Sequence, residues 1–344
     1  LEPRSLLIPS RGTRHLPLVP CAEACGKGTG GAVVRSRVMP TTYAADRLTW
    51  MLIAAMLLGF VAVTRDAPFT IAPLSTLGPL AGLTALIGLW QIGHRRALPN
   101  LSVAAIALLQ MTLFTLAALL LSYALAAQQG APWDARLLAW DRALGFDWPA
   151  IRGALDRSWA AVWTLTFAYH SLVPQMVLVI LLLSARGLHG EVRVTVCAAV
   201  LAGFATVIMS GAVPAFGNMF DPARDRNLPA SIAWHHAETI RDLRSGALRT
   251  LDLSRLMGIV TFPSYHAALA LVFLRAYAWL PRAQAWPLGT LAVLTIVATP
   301  VAGGHYAVDV LAGLLLACAS LLVAARLASA RAARHSDALV AEPA

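Results

Sequence analysis

Apolar runs of about 17–25 residues alternate with short polar links along most of this sequence, and this alternation restricts the folds that the chain can adopt. A helix needs about 20 mostly apolar residues to cross the hydrocarbon core of a bilayer, where every backbone polar group must be hydrogen-bonded within the protein. The composition agrees, since 58% of the residues are hydrophobic and only 13% are charged. The sequence therefore predicts an all-α protein, a polytopic bundle of transmembrane helices.

Eight apolar runs are long enough to be membrane spans. We expect them at residues 48–64, 70–92, 101–127, 159–184, 193–213, 264–281, 286–303 and 305–327. The last six would form a six-helix catalytic membrane domain at 101–327, preceded by two added transmembrane helices at 48–92. Residues 328–344 are expected to be a cytoplasmic tail.

The first 47 residues differ from the rest of the chain. They contain seven Lys/Arg, many Gly and Pro, and no sustained hydrophobic periodicity, which predicts a disordered N-terminal extension. The first residue is Leu, and Met39-Pro40 stands shortly before the first span. We therefore expect Met39 to be the true initiator and residues 1–38 not to be translated.

The net charge of +10 would suit nucleic acid, but its distribution favours a membrane topology. With the N-terminus inside, the inside segments hold 15 Lys/Arg against six acidic residues, whereas the outside segments hold 11 against 10. Because Lys and Arg accumulate in cytoplasmic loops, both termini are predicted to be cytoplasmic. The Ala- and Arg-rich, nearly Lys-free composition is typical of a GC-rich bacterium, so we expect the inner membrane and no nucleic-acid partner.

Three ionisable residues stand in otherwise apolar surroundings near the end of the chain. Segment 261–266 reads Thr-Phe-Pro-Ser-Tyr-His, and segment 303–310 reads Gly-Gly-His-Tyr-Ala-Val-Asp-Val. His266 and His305 are 39 residues apart, about two bilayer crossings, so both are predicted to lie on the same membrane face, the outer one. His305 and Asp309 are spaced i, i+4, which puts their side chains on one side of a helix.

This arrangement suits attack by an imidazole on phosphorus. A neutral His305 can use one ring nitrogen as the nucleophile if the other donates its proton to a carboxylate, and Asp309 is placed to be that carboxylate. His266 can supply a proton to the leaving alkoxide. Ionisable groups at membrane depth are costly and usually functional, which favours a catalytic site over an idle ion pair.

These residues resemble the type-2 phosphatidic acid phosphatase superfamily, whose second motif is Pro-Ser-x-His and whose third ends in His-x-x-x-Asp. The short sequences Tyr-His-Ala and His-Tyr-x-x-Asp-Val are most similar to those of the branch that contains inositol phosphorylceramide synthase and the sphingomyelin synthases. The resemblance implies that His305 is the nucleophile, Asp309 orients it and His266 is the general acid. It also implies a lipid substrate such as a phospholipid and no cofactor.

The sequence departs from the superfamily where phosphate should be bound. Phosphatases carry an Arg-Pro in a basic first motif and a Ser-Arg pair before the third-motif His, but Ala298 and Thr299 occupy the pair's positions here and no Arg-Pro follows the run that ends near 213. This favours the synthase-like branch. Phosphate would then be held by backbone N–H groups at the start of the His266 helix, by Ser264 and Tyr265, or by arginines of the loop 214–262. That loop carries Arg224, Arg226, Arg241, Arg244, Arg249 and Arg255, of which we choose Arg244 and Arg255.

Other polar residues have simpler interpretations. The segment 128–158 is predicted to form helices on the membrane surface, with its tryptophans as an aromatic belt and no catalytic part. Tyr169, His170 and Gln175 either line the substrate cavity or hydrogen-bond between helices. His235 and His236 are expected on the surface.

Two other functions remain open at this point. With water as the acceptor the enzyme would be a lipid phosphate phosphatase rather than a synthase. In a protein of another class, a membrane transporter, His266, His305 and Asp309 would form a proton relay.

A metal site built from two His and one Asp is a further alternative. If imidazole is the nucleophile, we predict that EDTA does not inhibit turnover, because no step requires a Lewis acid. The measurement is turnover of the purified protein before and after chelation, followed by addition of single divalent metals. Loss of activity that one specific metal restores would support the metal site instead.

Overall fold

The computed structural model describes residues 44–128, 130–220 and 225–340. The predicted N-terminal extension, the expected initiator Met39 and Arg224 lie outside these residues. The described chain is built from helices, and the predicted all-α fold is confirmed.

Twelve α-helices form the described part of the protein. They are α1 (Ala44–Val63), α2 (Leu77–Arg95), α3 (Pro99–Ala126), α4 (Asp134–Ala143), α5 (Trp148–Asp156), α6 (Trp159–His170), α7 (Leu172–Ala185), α8 (His189–Ala212), α9 (Ile232–Ser245), α10 (Tyr265–Tyr277), α11 (Arg282–Ala302) and α12 (Ala307–Val340). A short 3-10 helix at Pro73–Thr76 leads into α2. Two short strands, β1 (Thr70–Ile71) and β2 (Thr250–Leu251), pair in parallel.

Six helical segments of the described chain are long and apolar enough to cross a membrane, as expected of an integral membrane protein. They are Ala44–Val63, Pro73–Arg95, Pro99–Ala126, His189–Ala212, Arg282–Ala302 and Ala307–Ala328. The predicted span 159–184 is instead a pair, α6 and α7, bent by 54°, which would be a seventh span if counted as one. The predicted span 264–281 contains α10, whose 13 residues extend about 20 Å, less than the thickness of the hydrocarbon core.

The short helix α10 lies at the centre of the bundle, where it packs against α7, α8, α11 and α12. Its buried face includes Ala267, Ala268 and Ala270, small residues that let helix backbones approach closely. Gly313 of α12 meets the first turn of α10 so closely that a Cβ there would stand 2.2 Å from the carbonyl oxygen of Ser264. The small side chains at these positions of α10 and α12 therefore determine how closely the two helices approach each other.

The links between helices contact one another in two groups. These groups correspond to the two sets of links that the charge analysis assigned to opposite sides of the membrane. One group is joined by the pairs Asn100 with His189 (2.7 Å), Arg186 with Gln284 (2.9 Å) and Arg193 with Asp46 (3.0 Å). The other is joined by the pairing of β1 with β2 and by the Asp156 carboxylate, which accepts from the backbone N–H groups of Arg226, Asn227 and Leu228. The second group belongs to the predicted outer links. Which group faces the cytoplasm stays a prediction.

Gly313→Ala should destabilise the protein by about 1–3 kcal/mol, because the added methyl group meets backbone that cannot rotate away. The measurement is the thermal unfolding midpoint of purified protein in detergent. Gly82→Ala in α2 is the matched control, since a Cβ there has no atom within 4 Å and Ala favours helix over Gly. Equal midpoints for the two variants would contradict the close contact between α10 and α12.

Candidate active site

His305 lies in the short link between α11 and α12, and its position depends on the glycine before it. Gly304 has φ +65, and a Cβ at this residue would stand 2.5 Å from the Ser231 hydroxyl oxygen. Both the left-handed backbone and the lack of space require glycine. The turn leaves the His305 side chain buried, with an exposure of 4%.

One ring nitrogen of His305 is held by two acceptors. Nδ1 is 2.9 Å from the carbonyl oxygen of Thr261 and 3.5 Å from Oδ2 of Asp309. A carbonyl oxygen can only accept, so this contact puts the proton on Nδ1 and leaves the lone pair of Nε2 free. The sequence predicted the carboxylate at this nitrogen, whereas the structure adds a backbone carbonyl that lies closer.

Asp309 joins the two sequence motifs. Its carboxylate is buried, and Oδ2 accepts a hydrogen bond from the backbone N–H of Tyr306 at 2.8 Å. Its own backbone carbonyl accepts from the N–H of Ser264 at 2.9 Å. Among the described residues, Oδ1 has no hydrogen-bond partner. The carboxylate is therefore fixed beside His305 while the same residue holds the start of α10.

His266, in the first turn of α10, faces His305. The two ring centroids are 6.3 Å apart, with 54° between the planes. On its other side the His266 ring stacks on Tyr169 of α6, at 4.4 Å and 11°. Gly303 makes room for this tyrosine, since a Cβ there would stand 2.8 Å from the Tyr169 hydroxyl oxygen. The structure thus brings together the two histidines and Asp309 that the sequence selected.

The sequence left two interpretations for the polar residues of the bent helix pair: they line the substrate cavity or they hydrogen-bond between helices. The structure shows an example of each. Tyr169 belongs to the site through its stacking on His266, and the exposed His170 touches Tyr169 edge-on. Gln175 instead donates to Ser171 (2.8 Å) and to Thr295 of α11 (3.1 Å). It is a hydrogen-bonding residue between helices.

Ser264 and Tyr265, selected as substrate-binding residues, make structural contacts. Ser264 is fully buried and its hydroxyl oxygen caps α10, accepting from the N–H of Ala267 at 3.4 Å, as Pro-Ser predicted. The Tyr265 hydroxyl donates to the carbonyl of Ala199 in α8 at 3.1 Å. Both side chains anchor the start of α10.

The hydrogen bonds and ion pairs that the structure shows for the two selected arginines are made with other groups than the histidines. Arg244 donates to the carbonyls of Ala126 (3.3 Å) and Gly130 (3.0 Å), and it lines a small cavity whose wall also includes Thr261. Arg255 exposes 87% of its side chain and pairs with Asp252 at 3.5 Å. Neither contact involves His266, His305 or Asp309.

Asp141 of α4 is a residue of the site that the sequence analysis missed, because the segment 128–158 was interpreted as a membrane-surface belt. Its carboxylate is buried and accepts from the backbone N–H groups of Ala307 (2.8 Å) and Val308 (2.9 Å), the first residues of α12. It also accepts from the indole N–H of Trp148 at 2.7 Å. An acid at a helix N-terminus satisfies free donors and complements the helix dipole.

Asp134, about two helical turns earlier in α4, holds the same end of α12. Oδ1 accepts from the Tyr306 hydroxyl at 3.1 Å and from the N–H of Gly217 at 2.9 Å. Asp134 and Asp141 are seven residues apart, which puts them on one face of α4. That spacing is the sequence signal that points to a shared role.

His236 was expected on the surface with His235, and for His236 that prediction is wrong. His235 is exposed, but His236 is 7% exposed on the inner face of α9. Burial, then the neighbouring His305 and His235, lowers the pKa of His236 to about 4. This histidine is therefore neutral near pH 7 and close enough to His305 to interact with it electrostatically.

The residues that surround the histidines do not form a metal site in the part of the chain that the structure describes. No group of three or more His, Cys, Asp or Glu side chains there has an arrangement that could hold a metal ion. The cysteines Cys197 and Cys318 are both free.

Comparison with known proteins gives one family. The family profile described as PAP2 superfamily matches residues 135–323, a range that contains both motifs and Asp141 of α4 and begins one residue after Asp134. No curated protein and no solved structure gives a significant match to the chain.

Asp309→Asn should lower turnover by about 10³–10⁴-fold, by analogy with other sites in which a carboxylate orients a histidine. The variant keeps the shape of the side chain but removes the charge that is expected to stabilise a cation on His305. The measurement is kcat with a lipid substrate, with the unfolding midpoint as a control for fold. Turnover within tenfold of the wild type would remove Asp309 from the mechanism.

Proposed function

This chain belongs to the PAP2 superfamily, and from that premise we propose that it is a membrane enzyme that transfers a phosphoryl or phosphoryl-headgroup unit from a lipid through a phospho-His305 intermediate. The observation that carries the proposal is the geometry of the two imidazoles. His305 has Nδ1 held by Thr261 and Asp309, and His266 faces it at 6.3 Å. A phosphorus atom between the two rings would meet a nucleophile on one side and a proton donor on the other.

The first half of the reaction forms the intermediate. The lone pair of His305 Nε2 attacks phosphorus, and the bond from phosphorus to the lipid oxygen breaks with its electrons moving to that oxygen. Protonated His266 gives its proton to the departing oxygen, which leaves as a neutral hydroxyl. The positive charge formed on His305 is stabilised by Asp309, whose Oδ2 lies 3.5 Å from Nδ1.

The second half returns the enzyme to its starting state. The hydroxyl of an acceptor attacks phosphorus and gives its proton to the now neutral His266. The bond between phosphorus and Nε2 breaks, and its electron pair returns to His305. His266 therefore serves as acid in the first half and base in the second.

The acceptor separates a synthase from a phosphatase, and we propose a synthase similar to inositol phosphorylceramide synthase. At the Ser-Arg positions expected of phosphatases, Ala298 packs in a cluster with Tyr169, and Thr299 is fully buried with its hydroxyl bonded to the carbonyl of Thr295 at 2.7 Å. The site thus has no guanidinium at this position. The acceptor would be a lipid hydroxyl, such as that of ceramide or diacylglycerol.

The site is proposed to open to the outer, periplasmic face of a bacterial inner membrane. It lies with the links that include β2 and the loop after α8, which the charge distribution assigns to the outside. The lipid substrate would then approach from the outer leaflet.

The experiment that separates the candidate functions offers purified protein labelled phosphatidylinositol, with and without ceramide or diacylglycerol. Transfer of the headgroup to the added lipid supports the synthase. Release of a water-soluble phosphate product supports the phosphatase. Neither product from this donor or from phosphatidic acid would favour the transporter with a His/Asp proton relay.

The roles of the two histidines can be distinguished by changing the leaving group. His305→Ala should abolish turnover of every substrate, because His305 makes the bond to phosphorus. His266→Ala should be severely impaired on natural lipids yet retain far more activity on a nitrophenyl phosphoester, because a phenolate leaves without a proton. The difference between the substrates should approach about 10²–10⁴-fold.

The assay compares wild type and both variants on both substrates. Equal losses for His266→Ala on the two substrates would overturn its assignment as the acid. Rescue of His305→Ala by the activated substrate would overturn the covalent intermediate.

A further inference from the structure

Phosphoryl transfer needs hydrogen-bond donors aimed at the non-bridging oxygens, where negative charge is concentrated in the transition state. In many phosphoryl-transfer sites arginines supply these donors. Here Arg244 is engaged with backbone carbonyls and Arg255 with Asp252. A different donor is placed beside the nucleophile, on α9.

The start of α9 lies directly against the turn that carries His305. A Cβ on Gly304 would stand 3.0 Å from the Cβ of Ala233, in the first turn of α9. The contact is reinforced through Asn218, whose N–H donates to the carbonyl of Gly304 at 2.7 Å and whose carbonyl accepts from Ser231 at 2.9 Å. The helix is therefore fixed in position relative to His305.

His236 is one turn beyond Ala233 on the same face of this helix. The buried residues of α9 are Ala233, His236, Ala237, Ile240 and Leu243, a stripe at helical spacing. The imidazole thus points inward from the helix that contacts Gly304. The pKa of His236 is lowered by burial first and then by His305, which agrees with this placement on the face of α9 toward the site.

We propose that His236 binds the phosphoryl group, donating a hydrogen bond from its imidazole N–H to a non-bridging oxygen during transfer to and from His305. The inference rests on the proposed function and adds a third imidazole to it. Burial, and then the neighbouring His305 and His235, lower the pKa of His236, so its imidazole is neutral near pH 7. A neutral ring still has one N–H donor, and it does not oppose the protonation of His266.

The test uses His236→Ala, His236→Gln and, as a matched control, His235→Ala on the exposed neighbour. Turnover of the lipid donor is measured together with inhibition by orthovanadate, which imitates the five-coordinate phosphorus of the transition state. Removing one such donor is expected to lower kcat/KM by about 10²–10³-fold and to weaken vanadate inhibition in parallel. His236→Gln keeps an N–H donor and should recover at least tenfold of the loss, while His235→Ala should match the wild type.

A purely structural role for His236 predicts a different pattern. His236→Ala would then lower the unfolding midpoint and the amount of active protein, but vanadate would inhibit the remaining activity as strongly as in the wild type. That result, or turnover and vanadate inhibition both within twofold of the wild type, would overturn the inference. So would equal losses for His236→Gln and His236→Ala when both keep the wild-type midpoint.

Failure of the proposed function gives a distinguishable result. A wild-type protein that does not turn over the phosphoester substrates would overturn the covalent mechanism. So would a His305→Ala variant that keeps its activity, and in either case the inference would fall with the mechanism. An active wild type, an inactive His305→Ala and an unimpaired His236→Ala would overturn the inference alone.

Discussion

The site depends on two backbone groups that connect the segments 261–264 and 305–309. The carbonyl of Thr261 fixes His305 Nδ1 at 2.9 Å, and the N–H of Ser264 donates to the carbonyl of Asp309 at 2.9 Å. In a bilayer, water is not available to replace such partners, so each contact satisfies a group that would otherwise be costly to bury. The same hydrogen bonds that complete the fold here therefore orient His305, the proposed nucleophile.

A second set of constraints on the site comes from two acids of α4, in the segment predicted to lie on the membrane surface. Asp141 of α4 accepts from the first two N–H groups of α12, and Asp134 holds Tyr306 and the loop at Gly217. Because free N–H groups at a helix start attract a carboxylate, the pair fixes the end of α12 from which His305 extends. The segment that contains α4 has no catalytic motif, yet it fixes the position of the turn that carries His305. The aromatic belt predicted for this segment accounts neither for its acids nor for Trp148, which is buried and donates to Asp141.

Sequence reasoning found the parts of the site that have a local signature. Pro-Ser predicted the cap of α10, the i, i+4 spacing predicted the His305–Asp309 pair, and the length of apolar chain between the histidines predicted their meeting. It did not find the Thr261 carbonyl, since any residue has one, and it placed His236 with its exposed neighbour His235. Which of two adjacent histidines is buried depends on how α9 packs against Gly304, and that contact has no counterpart in the local sequence. The span at 264–281 was predicted too long for a similar reason: a short central helix surrounded by others is as apolar as a full span.

Ala298 and Thr299 stand where phosphatases of the superfamily carry a Ser-Arg pair, and the missing guanidinium affects whether the site suits a phosphomonoester or a phosphodiester. Ala298 and Gly303 leave room for Tyr169, whose ring stacks on His266 and fixes the plane of the acid. Tyr169 thus orients His266, the proposed proton donor. At positions 298 and 299 the site has no permanent positive charge. A phosphomonoester carries about −1.5 to −2 charges near pH 7, whereas a diester carries one, so a site without a guanidinium at this position opposes burial of the monoester more strongly. This electrostatic difference supports the proposed choice of a lipid phosphodiester, the class to which phosphatidylinositol belongs, over phosphatidic acid as the donor.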